Sequence, residues 1–115
     1  MITLCCSRIV RSRLGIPQRP PAALEPTTRL GNWYVHLVRF GPQQVVLATS
    51  ERSLLTVILP ARALRATIEG NIRTAVGQLL SALDIPSEIV SRELMEMQPM
   101  AIAPATNRRV LGSMN

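Results

Sequence analysis

Residues 32–49 read NWYVHLVRFGPQQVVLAT, and this stretch decides the fold class. In an extended chain Trp33, Val35 and Leu37 share one face, while Tyr34, His36, Val38 and Phe40 share the other. Residues 32–40 are therefore read as a strand. Gly41-Pro42-Gln43-Gln44 has turn chemistry, because Gly accepts left-handed backbone and Pro presets φ. Residues 45–49 return as a second strand, residues 50–53 form another polar turn, and residues 54–59 make a third strand. Links this short favour antiparallel neighbours. Several strands are apolar on both faces, so both sides of the sheet are expected to be covered.

Downstream, Pro60 ends the sheet and the period changes. Leu64, Ile68, Ile72, Val76, Leu79 and Leu83 recur at helical spacing. Gly70 and Gly77 each weaken that helix by about 1 kcal/mol relative to Ala, so packing must hold it. A second helix starts within residues 84–88, with Pro86 in its first turn and Ile85, Ile89, Val90, Leu94 and Met97 as its apolar positions. Glu88, Glu93 and Glu96 are expected on its solvated side. Pro99 closes it, and residues 100–103 make a last strand. Upstream, residues 2–7 read as a strand and residues 7–14 as one or two helical turns stopped by Gly15. Residues 16–29 are a Pro-rich loop, and residues 106–115 a tail or the start of a final helix. The expectation is one α+β domain over residues 1–115. Its core is a small antiparallel sheet of about four or five strands, packed with two main helices from the C-terminal half.

Composition narrows the function classes. The chain has 115 residues, is 47% hydrophobic, and has no apolar run approaching a membrane span. No secretory signal is visible, since Arg8, Arg11 and Arg13 follow the first apolar residues instead of preceding them. A cytoplasmic location follows as the expectation. Cys5 and Cys6 are adjacent, which suits two reduced thiols better than a bridge. With a single His, no metal site and no cofactor is expected. Net charge is +6, unevenly spread. Residues 1–45 carry six Arg against one Glu, residues 46–105 five Arg against six acids, and the tail adds Arg108 and Arg109.

Few residues carry candidate chemistry. His36 would serve as a general base only with a partner such as Ser50, Glu51 or Ser53. The basic ends suggest an anion- or partner-binding set of Arg8, Arg11, Arg13, Asn107, Arg108 and Arg109. Two Arg in the first turn of a helix capped by Asn107 would be unfavourable for the helix itself; the leading reading is that Asn107-Arg108 pins the tail to the sheet by hydrogen bonds, and the alternative is an outside anion or acidic partner. Nucleic-acid binding is disfavoured by an aromatic content of 3%, too low for a stacking platform.

Three segments carry a family resemblance: Leu30-Gly31-Asn32-Trp33, then Leu47-Ala48-Thr49-Ser50-Glu51-Arg52-Ser53-Leu54, then the terminal NRRVLGSMN of residues 107–115. Their order and spacing resemble an uncharacterised bacterial and archaeal domain family that includes plasmid open-reading-frame-3-like proteins. Two departures stand out: Tyr34 follows Trp33 where such sequences tend to have His, and the chain stops at Asn115. The resemblance implies no reaction, cofactor or partner.

The leading expectation is a non-enzymatic protein-interaction or accessory module encoded by a mobile element. Nucleic-acid binding through the Arg-rich N-terminal segment and tail is the second reading, and a small enzyme using His36 the third. Self-association as a homodimer is expected, because charged residues are only 17% of the chain and two helices leave apolar strand surface uncovered. Met95, Met97 and Met100 are adaptable side chains suited to such a contact.

Overall fold

The computed structural model describes residues 1–15, 25–64 and 67–105. Among them, strands β1 (Ile2–Cys6), β2 (Trp33–Phe40), β3 (Gln43–Ser50), β4 (Thr56–Pro60) and β5 (Met100–Pro104) form one sheet in the order β4-β3-β2-β1-β5. Helices α1 (Arg8–Leu14), α2 (Ile68–Ala82) and α3 (Ser87–Glu96) and a 3-10 turn (Ala61–Leu64) complete the α+β fold. No helix among the described residues is long and apolar enough to cross a membrane.

The β2-β3-β4 meander is antiparallel, with Trp33 opposite Ser50 and Ala48 opposite Val57. The sheet as a whole is mixed, which corrects the all-antiparallel expectation. β1 runs parallel to β2, Leu4 opposite Trp33, and parallel to β5, Leu4 opposite Ile102. A parallel pair needs a long crossover, and the segment between Cys6 and Trp33, which includes α1, supplies one. All five residues of β1 are buried, as befits a strand with neighbours on both sides.

Local chemistry explains the helix ends. Ser7 caps α1 by accepting from the Val10 N–H at 3.4 Å, and Gly15 ends it in the left-handed region at φ 72°. Leu64 lies in the 3-10 turn, so α2 begins later than its apolar period suggests. Its buried stripe is Ile68, Ile72, Val76 and Leu80. Leu83 is exposed, because it occupies the C-cap and Asp84 turns the chain away at φ 60°.

Ile2, Leu4, Cys6, Trp33, Val35, Leu37, Val46, Ala48 and Val57 face the helices and join Val10, Ile72, Val76, Val90 and Met97 in the main core. The opposite face holds a smaller cluster of Cys5 and Tyr34, with Leu47 and Ala105 against them. Both faces were expected to be covered. Among the described residues, however, the helices contribute only to the main core, and the second face has no helix over it.

The strand period sends Cys5 and Cys6 to opposite faces, and both thiols are free and buried. Burial raises each thiol from about 9 to about 12. Both are therefore expected to react with a thiol reagent at pH 8 at least about a hundredfold slower in the native protein than in denaturant. Because folding raises these pKa values, their contribution to stability is intact below about 9 and is lost as pH climbs toward 12. Urea midpoints measured across that range check the sign, and a Cys5→Ala, Cys6→Ala double variant should lose this part of the decline.

Candidate functional site

The two internal segments that carry the family resemblance meet at one end of the sheet. Thr28, just before β2, is buried, and its hydroxyl both accepts from the Gly31 N–H and faces the Gly31 carbonyl at 3.1 Å. Gly31 has φ 77°, and an added Cβ would lie 3.0 Å from Arg52 Cγ. Only Gly fits there without strain. The Asn32 side-chain oxygen accepts from the Thr3 N–H at 2.8 Å, tying the loop to β1.

The β3–β4 turn grips the same loop. The Ser50 hydroxyl donates to the Leu30 carbonyl at 2.7 Å and accepts from the Ser53 N–H at 3.2 Å. Glu51 exchanges bonds with Asn32: its N–H donates to the Asn32 carbonyl at 2.9 Å, and its carboxylate accepts from the Asn32 N–H at 3.4 Å. Arg52 lays its stem over Gly31 and donates to the Thr28 carbonyl at 3.0 Å.

From α3, Glu93 closes the assembly. It is buried, which corrects the expectation that it stands on the solvated side of its helix. Its two carboxylate oxygens accept from the N–H groups of Arg29 and Leu30 at 3.1 and 3.3 Å. The spacing holds the reason: Glu93 falls three residues after Val90 and four before Met97, inside the buried stripe.

His36 lies elsewhere. It is half-buried on the second sheet face opposite Leu47, and its Nδ1 is buried with no hydrogen-bond partner among the described residues. Ser50 is three residues further along β3, roughly 10 Å away at strand rise, and pairs with Trp33 on the helix-facing side. Ser50 and Glu51 spend their polar atoms on the Leu30–Asn32 loop. The structure thus does not bring His36 together with those partners.

The basic candidates divide. Arg8 and Arg13 are exposed on α1, and Arg11 donates to the Cys6 carbonyl at 3.3 Å. Arg13 donates to the Gln44 side chain at 3.3 Å. Asn107, Arg108 and Arg109 lie outside the described residues. Among those described, no group of His, Cys, Asp and Glu is arranged to hold a metal ion.

A mixed five-stranded sheet with its helices on one face, locked by the Thr28–Asn32 loop, defines a small α+β domain without an assembled catalytic constellation among its described residues. The family model described as Domain of unknown function (DUF6933) matches residues 3–115, and the chain belongs to that family. No curated protein and no solved structure matches it.

Two substitutions test the locking role. Glu93→Gln keeps one acceptor but turns an NH2 donor toward the other of the two N–H groups, and should cost about 1–3 kcal/mol in urea unfolding. Gly31→Ala should cost roughly 1–2 kcal/mol, from the left-handed backbone alone. Stability of either variant equal to the parent would show that the loop is not a structural lock.

Proposed function

We propose that the chain is a non-enzymatic interaction module that works as a homodimer, joined through the second face of its sheet. One observation carries this reading. On that face Phe40 and Ile58 are 62% and 63% exposed, next to half-buried Val38, Val45 and Leu47. Large apolar side chains grouped in this way mark an interaction surface.

The chemistry of the face argues for a second copy as the occupant. No Arg, Asp or Glu stands on it in β2, β3 or β4; its positions are Tyr34, His36, Val38 and Phe40, then Gln43, Val45, Leu47 and Thr49, then Thr56, Ile58 and Pro60. A charged partner would find nothing to pair with. A second copy presents the same neutral surface, and a two-fold axis makes that surface self-complementary. Sheets stack face to face at about 10 Å, with side chains of this size filling the gap. Met97 belongs to the core at 0% exposure and takes no part, whereas Met95 is free on α3.

Two free thiols support a reducing, cytoplasmic setting. The resemblance to plasmid-type sequences supports an accessory role in a mobile element. Sedimentation equilibrium at micromolar concentration tests the reading. The parent should run at twice 12.6 kDa, and Ile58→Glu should fall to 12.6 kDa with an unchanged circular-dichroism spectrum. A parent mass that stays at 12.6 kDa as concentration rises overturns it.

A further inference from the structure

Away from the sheet face, at the end of the molecule beyond the β2–β3 hairpin, a cleft of about 650 Å³ is lined by Arg13 and Leu14 of α1, Gln44 of β3, and Ala61, Arg62 and Leu64 of the 3-10 turn. Arg39 of β2 lies opposite the lining residue Gln44 across the strands, on the helix-facing side. Two Arg side chains thus line the cleft, and a third is carried by the strand position opposite Gln44.

The elements that carry these residues supply no counter-charge of their own. α1, β2, β3, β4 and the 3-10 turn carry no Asp and no Glu in their sequences. Arg13, Arg39 and Arg62 make no ion pair among the described residues. Arg13 has one structural duty, offsetting the dipole at the end of α1. Arg39 has none of that kind, and Arg62 stands in the short 3-10 turn. Like charges set close together without neutralisation repel, and a concave wall focuses their field. An arrangement of this kind is relieved by a bound anion.

We propose that this cleft binds the phosphate group of a small ligand, held by Arg13, Arg39, Arg62 and the amide of Gln44. Guanidinium groups offer paired donors that match phosphate oxygens, and one Arg13 nitrogen is already oriented by Gln44 at 3.3 Å. The volume falls in the ordinary range for small-molecule sites, about 300–1,000 Å³. A nucleic-acid strand fits less well, because no aromatic side chain lines the cleft for a base to stack on. The proposal is independent of the dimer, which uses the other face.

Calorimetric titration of the full chain with inorganic pyrophosphate, in parallel with a short single-stranded oligonucleotide, tests it. Pyrophosphate should bind saturably at one site per chain. Arg13→Gln, Arg39→Gln and Arg62→Gln should each weaken it about tenfold, and Arg92→Gln on the exposed side of α3 should leave it unchanged. All four side chains are exposed, so the variants are expected to fold, which circular dichroism checks. Absence of saturable pyrophosphate binding at low salt overturns the proposal. So does equal weakening by Arg92→Gln, which would indicate a diffuse charge effect. Binding of the oligonucleotide alone, with a steep salt dependence, would overturn it in favour of a nucleic-acid surface.

Discussion

A carboxylate buried against two backbone N–H groups holds this fold in register. Glu93 is tolerable in the interior because Arg29 and Leu30 aim their amides at it. The bond also joins the last helix to the loop that delivers the chain into β2. From that loop Asn32 reaches β1 and Ser50 and Arg52 reach back from the β3–β4 turn, so four parts of the chain are fastened at one point. The start of β2 is thereby fixed opposite the end of β3. A slip of one residue would send Trp33, Val35 and Leu37 to the wrong side of the sheet. The rest of the main core depends on that not happening.

The same sheet separates two kinds of surface. One side is closed by helices; the other offers neutral apolar side chains from the meander. Charge is unevenly placed: most of the acids accompany α2, α3 and the β3–β4 turn, while the carboxylate-free elements carry Arg13, Arg39 and Arg62 toward the hairpin end. A domain divided in this way has room for two independent contacts, one apolar and one anionic, without either disturbing the core.

The meander was readable from residues 32–59 because its alternation and turn residues are local properties. α2 and α3 were readable for a similar reason, their apolar spacing being strong. The parallel placement of β1 was not, since ITLCC is short, apolar throughout and silent about its neighbours. Glu93 was misread because a Glu among Glu88 and Glu96 looks solvated, although its position relative to Val90 and Met97 held the opposite signal. Arg39 and Arg62 belong to no motif or spacing that links them to Arg13 in the sequence. Only the 3-10 turn after β4 brings Arg62 into a cleft with Arg13, and only the strand pairing sets Arg39 opposite the lining residue Gln44. The tail residues Asn107, Arg108 and Arg109 lie beyond what the described structure addresses.

The pairing of Ile2 with Met100 has a consequence for how the protein is made. β1 leaves the ribosome well ahead of β5, one of its two neighbours, which lies about a hundred residues further along the chain. At about 5–20 residues per second, the interval between the two is on the order of 5–20 s. Throughout it, β1 lacks the partner for one of its two hydrogen-bonding edges. The nascent chain is thus exposed to strand addition by other chains during synthesis, a hazard that the finished molecule, with β1 enclosed between β2 and β5, no longer carries.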